Sequence, residues 1–376
     1  MLRYGCVNCG SWLGDCKHLS KSQKIQNSMG GYAMNRKYGL ASLVAAMLLF
    51  SSEIALSQTK ILFNLFVPRN HHVYTDVLEP WAKQVEAATK GRVKIEFSAS
   101  NLAPLPRQFD MVKNGVADVG LDQTIFNANR FELVKIAEFP FIGDSTEAVS
   151  VALWRTYEKF FTKANEYDGV HVLSFFSTGA SHLWTAKRPV SSLDDLKGLK
   201  IRMTGVYIRE LAAALNIAPV AEPGPKAYEL VSNGVVDGSG FSVVDVVNFK
   251  LTSQLRHLIR IPGGLYSAGF AMVVNKQKWD SLSEEDRKAI TSVSGESFAR
   301  LSGKAWDAAN AKAEGIIKSE GIQQNELKPD AFAELKKRLS TIEGSWLQAA
   351  EKKKVDGKAA LAFFRSQIAE IEKKNQ

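Results

Sequence analysis

From Ile61 onward the chain alternates short apolar runs with longer segments whose apolar positions recur at helical spacing. Ile61 to Phe66 reads as a buried strand, Val67 to His72 as a loop, and Val77 to Thr89 as an amphipathic helix with Pro80 tolerable in its first turn. Gly91 closes that helix, and Val93 to Phe97 alternate as a second strand. A loop from Asn101 to Pro106, a helix through Val112 and a strand around Val119 to Leu121 follow. Further on, His171 to Phe176, Leu183 to Ala186, Leu199 to Met203 and the wholly apolar Ala268 to Val274 read as strands, the last suited to a central place in a sheet. Strands alternating with helices predict an α/β fold whose parallel sheets are covered by helices.

One short pattern organises these elements. Asn-Gly-Val-x-Asp occurs at Asn114 to Asp118 and again at Asn233 to Asp237, each time ending a helix-like stretch and opening a strand-like one. Upstream of each copy lies a Gly-led strand, Gly91 to Phe97 and Gly198 to Met203. Strand, helix, strand repeated in this way predicts two similar lobes. Ser192 and Asp195 have capping-box spacing and deliver a short helix to the second of those strands. Ser283 to Asp286 is another capping box, and no proline follows it until after Glu320. The run reads either as one long helix or as two or three shorter ones, since Gly295, Gly303 and Gly315 interrupt it. Helical segments Asp330 to Thr341 and Gly344 to Glu372 finish the chain.

The N-terminal region has a different character. Arg36 and Lys37 precede an apolar run from Leu40 to Phe50, and Ala55-Leu56-Ser57 supplies small residues before a cleavage point, the pattern of a secretory signal peptide at 34–57. The run is too short for a membrane span of roughly 20 residues. Such a peptide starts near its basic residues, so Met34 is the expected initiator and residues 1–33 an extension outside the gene product. All three cysteines, Cys6, Cys9 and Cys16, fall in that extension; a zinc knuckle with His18 is the weaker reading, and no metal is expected. The exported chain would begin near Gln58, without cysteine and at 42 basic against 37 acidic residues. The basic residues are scattered among acids, which argues against nucleic acid as a partner.

Enzyme signatures are sparse. Beyond residue 57 the chain has no cysteine nucleophile, nucleophile elbow, phosphate loop or dinucleotide fingerprint, so neither a cofactor nor a catalytic residue is expected. The histidines at 71, 72, 171, 182 and 257 form no metal-spaced pair, and His71 and His72 on an extended segment would point opposite ways. A hydrolase built from His182 with Ser177 or Ser181 is the most remote alternative. Arg202 is the strongest candidate for chemistry. It sits at the C-terminal end of an α/β strand, where open parallel sheets bind ligands, and its fork matches a carboxylate. The competing reading is a salt bridge with Glu210 or a neighbouring acid. Phe241, in the loop after the second repeat, either covers a ligand or fills core.

Residues 58 to about 345 resemble the substrate-binding proteins of tripartite ATP-independent periplasmic (TRAP) transporters. The resemblance rests on an ordered set: Gly91 to Ile95, Phe109 to Asp118, Ser192 to Arg202, and Gly234 to Gly238. It implies a two-lobed periplasmic binding protein-like α/β fold with crossing strands and one long helix spanning both lobes. The lobes expected are 58–182 plus 270–312 and 183–269 plus 313–376. It further implies that Arg202 forms a salt bridge with the ligand carboxylate and that Gln123, with Phe126 close behind, lies at a ligand-facing strand end. His182 stands where well-known members have a second Arg, and Phe241 and Ser242 replace an Asn-Pro pair. With Trp184, these departures imply a less polar pocket; His71 completes the expected ligand-binding set. The expected protein is a monomeric periplasmic receptor, performing no reaction, that hands a small organic monocarboxylate, aromatic or branched-chain, to TRAP membrane subunits. The alternative is an extracytoplasmic sensor feeding a membrane kinase.

Overall fold

The computed structural model describes residues 58–375. The expected signal peptide, the extension before it and all three cysteines lie outside the described residues. Eleven strands follow in chain order: β1 (Thr59–Phe63), β2 (Val93–Phe97), β3 (Val119–Gln123), β4 (Val170–Ser177), β5 (His182–Thr185), β6 (Lys200–Met203), β7 (Ala218–Ala221), β8 (Gly238–Phe241), β9 (His257–Arg260), β10 (Gly269–Asn275) and β11 (Gln323–Glu326). They form two sheets, ordered β2-β1-β3-β10-β4 and β11-β9-β5-β8-β6-β7.

Neither sheet is purely parallel, contrary to the pattern-based expectation. In the first, β10 runs antiparallel to β3 and β4; in the second, β5 runs antiparallel to β8 and β9. The cause is the crossing of the chain between sheets. It leaves the first sheet at Ser177, enters the second at His182, and returns after β9 to insert β10 in reverse. Midway, the two crossing segments hold each other: the Ser181 amide donates to the Tyr266 carbonyl at 2.8 Å and the Leu265 amide to the Ser181 carbonyl at 2.8 Å.

The repeated pattern does the same work in both sheets. Gly115 and Gly234 take φ of 72° and 67°, the left-handed turn that releases a helix into a strand. The aspartate four residues past each Asn then clasps the neighbouring strand. The Asp118 carboxylate accepts from the Leu62 amide at 2.8 Å, and the Asp237 carboxylate accepts from the Lys200 amide at 2.8 Å.

The glycine-interrupted run divides once. Ser283 caps helix Glu284–Ser292 by accepting from the Asp286 amide, and Gly295, at φ 54°, starts a new helix that continues unbroken to Ser319. Gly303 does not break it but lets it approach helix Thr146–Thr156. That helix is buried on nearly every side, so it shows no amphipathic stripe, and the apolar periodicity did not reveal it. The C-terminal segment, expected with the second lobe, divides its contacts. Pro329–Leu339 packs on Ile208–Leu215, whereas Thr341–Lys352 lies against Leu133–Glu138 and Gly357–Asn375 against Thr146–Thr156.

Candidate ligand-binding site

A cavity of about 300 Å³ lies where the ends of the two sheets face each other. Its wall is assembled from residues remote in sequence. Phe66 follows β1, Gln123 ends β3, Phe176 and Phe270 stack 5.1 Å apart on β4 and β10, and Phe241 ends β8. Strand ends converge here because side chains deeper in each strand are taken up by the cores. Phe66 also stacks on Phe270, at 6.3 Å, so one side of the cavity is a continuous aromatic surface.

Arg202 enters from β6 and is 1% exposed. Its hydrogen bonds go to backbone: Nε–H donates to the Glu222 carbonyl at 2.8 Å and an Nη1–H to the Gly240 carbonyl at 3.3 Å. Glu210 is exposed on helix Ile208–Leu215, and among the described residues no carboxylate pairs with Arg202. Burial lowers the guanidinium pKa, but an arginine remains cationic at neutral pH. Asp245 also lines the cavity. Burial pushes its carboxyl up to about 6, and its Oδ2 accepts from the Ser242 hydroxyl at 2.8 Å. Behind the wall, Glu138 ties the crossing chain to the loop after β6 by accepting from the Gly269 amide at 3.0 Å and the Val206 amide at 3.1 Å.

Five of the sequence candidates line this cavity: Arg202, Gln123, Phe241, Phe126 and His71. His71 and His72 are not on extended backbone. They lead into a π-helical turn, Val73–Leu78, and their rings stack at 4.6 Å. Burial lowers the His71 pKa to about 4, so it is neutral at physiological pH.

His182 and Trp184 lie elsewhere. Trp184 pairs with Ser239 in the interior of the second sheet, fully buried, and its indole N–H donates to the Phe241 carbonyl at 3.0 Å. His182 turns toward the Arg260–Pro262 segment and lines a second, polar cavity, its Nδ1 accepting from the Ile261 amide at 3.3 Å. It bonds neither Ser177 nor Ser181 among the described residues; the Ser177 hydroxyl meets Ser267. The sequence pattern did not single out Asp245, Tyr266, Thr178 or Trp306, which also line the cavity, and marked Ser181 only as a hydrolase partner of His182. A signal existed for Ser181 and Tyr266, since residues between two sheets must pass their junction.

The His182 pKa falls from 6.5 to about 4, through burial and then the nearby Arg260 charge. The folded state therefore favours the neutral ring. The stability this contributes is complete above 6.5 and is lost as pH falls through about 4. Urea unfolding at pH 7 and pH 4.5 should show a smaller loss in His182→Gln than in the wild type; equal losses would exclude the group as a source.

Two mixed sheets, a double crossing, a long helix and a cavity with one guanidinium define a two-lobed α/β solute-binding protein. Residues 63–348 match the family model "bacterial extracellular solute-binding protein, family 7", and the chain belongs to that family, the periplasmic solute receptors of TRAP transport systems. It is similar to a TRAP periplasmic solute-binding protein from Bordetella bronchiseptica with bound (R)-mandelate and (S)-mandelate, at 35% identity and TM-score 0.80, covering 83% of this chain and 99% of that one. A marine metagenome TRAP solute-binding protein specific for aromatic acid ligands, in complex with metahydroxyphenylacetate, matches at 27% identity and TM-score 0.76 over 83% of this chain and 99% of that one. The outer membrane transporter protein TsaT of Comamonas testosteroni is 34% identical over 336 residues, 89% of this chain and 98% of its own length. Among the described residues, no helix is long and apolar enough to cross a membrane.

Proposed function

We propose that this receptor captures an aromatic monocarboxylate between its lobes and delivers it to TRAP membrane subunits without chemical change, acting as a monomer exported by the signal peptide at 34–57. The observation that carries this reading is the lone guanidinium: among the described residues, Arg202 is the single Lys or Arg in a wall otherwise made largely of aromatic and apolar side chains. One fixed positive charge suits one carboxylate. A second carboxylate would meet neutral His71 and the Asp245 carboxyl, so a C4-dicarboxylate is disfavoured.

The ring of the ligand lies against Phe66, Phe176 and Phe270 in this reading, with Phe126 closing one side and Gln123 and His71 meeting its polar substituents. These groups come from the first sheet and its loops, whereas Arg202 comes from the second. A ligand that touches both stabilises the closed arrangement alone, which lets the membrane partner distinguish full from empty receptors. The lobes that close are 58–182 with 270–312 and 183–269, hinged at the paired crossing segments.

Thermal unfolding with benzoate, mandelate and succinate tests the ligand class. A ligand at 100 times its dissociation constant adds about 2.7 kcal/mol. Benzoate or mandelate should raise the midpoint and succinate leave it unmoved; the reverse order would defeat the proposal.

A further inference from the structure

We propose that Phe241 is the positioning residue of the anion site: its ring holds the Arg202 guanidinium from one face so that only the terminal Nη edge is presented to a ligand. The inference rests on the reading of Arg202 as the carboxylate anchor. It assigns Phe241 to the arginine, where its place in the wall would otherwise make it one more surface for the ligand.

The geometry gives Arg202 three restraints. Its Cζ lies 4.3 Å from the centre of the Phe241 ring, a cation–π contact. Its Nε–H and one Nη1–H are spent on the Glu222 and Gly240 carbonyls. A guanidinium has five N–H donors, so three remain, one on Nη1 and two on Nη2. With Nε–H spent, the Nη1/Nη2 edge is what is left to offer a carboxylate two parallel hydrogen bonds.

Phe241 is itself immobilised. Its carbonyl accepts from the Trp184 indole at 3.0 Å, which explains why a large aromatic residue is buried two positions behind the cavity. Its ring packs on Phe249 at 5.3 Å, and Phe249 is pressed so close to Gly224 that a Cβ there would meet it at 2.9 Å. Gly240 adds a second tie, because the carbonyl that receives Arg202 also accepts from the Tyr266 hydroxyl at 2.9 Å. Arg202, Phe241 and the crossing segment thus form one connected unit, and the face of the guanidinium that would otherwise be open to water or to a second anion is closed by a hydrocarbon ring.

Fluorinated phenylalanines at position 241 supply the test, since each added fluorine draws electron density from the ring face with little change in shape. Calorimetry with benzoate should give an affinity that falls stepwise from the wild type through mono-, di- and trifluorophenylalanine, with Phe241→Leu weaker by about 5- to 30-fold. A packing role would leave the fluorinated series level, and a level series overturns the proposal. Should Phe241→Leu not fold, the fluorinated series decides alone. Arg202→Gln is measured alongside. Benzoate affinity equal in that variant and the wild type overturns the anchor reading itself, as does a wild type that binds neither benzoate nor mandelate; a large loss in Arg202→Gln with a level fluorinated series overturns the positioning role alone.

Discussion

Replacing Arg202 with alanine should weaken benzoate binding by roughly 30-fold to several thousand-fold, the equivalent of about 2 to 5 kcal/mol for a buried charge that loses its partner. The effect is large because nothing else in the wall can take over: His71 is held neutral by burial, and Asp245 carries the wrong sign. The substitution also removes the guanidinium bond to the Glu222 carbonyl, while the Gly240 carbonyl keeps its bond from the Tyr266 hydroxyl. Calorimetry on the folded variant is the measurement, and an affinity unchanged from wild type would remove Arg202 from the site.

Two glycines of the long helix Gly295–Ser319 should respond to the same substitution with opposite signs. A Cβ at Gly303 would sit 2.3 Å from the Glu147 Cα and 2.7 Å from its amide nitrogen, backbone that cannot rotate away. Gly303→Ala should therefore destabilise by about 1 to 3 kcal/mol, the usual cost of overpacking. Gly315 has no atom within 4 Å of the same position, so Gly315→Ala should stabilise by roughly 0.5 to 1 kcal/mol through reduced chain entropy. Urea midpoints of the two variants give the comparison; a shift in the same direction for both would mean that the close helix contact yields without cost.

The contrast between those glycines shows what pattern could and could not reveal. Gly295, Gly303 and Gly315 are alike in sequence, yet one carries a left-handed backbone, one makes room for a neighbouring helix and one does neither. The Asn-Gly-Val-x-Asp pattern was informative because turn and strand start are local, although the aspartate clasp reaches a strand far upstream, Asp118 to Leu62 and Asp237 to Lys200. Helix Thr146–Thr156 was not legible, since burial on all sides erases the stripe that marks a helix. Strands β7 and β11 escaped notice for the opposite reason: they lie largely exposed at sheet edges, β7 as Ala-Pro-Val-Ala with a proline and no polar alternation, β11 as Gln-Gln-Asn-Glu with no apolar residue at all. Arg202, Gln123 and Phe126 could be found from strand ends and from resemblance to the family. Trp184 and His182 do not line this cavity, and which side of β5 faces it depends on the register with β8, a tertiary fact. The aromatic wall needed tertiary knowledge too, as its members are up to two hundred residues apart.

One consequence of the double crossing concerns the order in which this molecule can be completed. β10 is flanked by β3 and β4 in the first sheet, and Gly269 at its start is opposite Ser177, where the chain departed. About ninety residues of the other half are synthesised between those two points. Until they have emerged, β3 and β4 have no partner between them and present bare edges, the sort of surface that recruits foreign strands. Assembly is thereby vectorial: the inserted half can condense first, while the half that encloses it waits for the interior strand that joins β3 to β4.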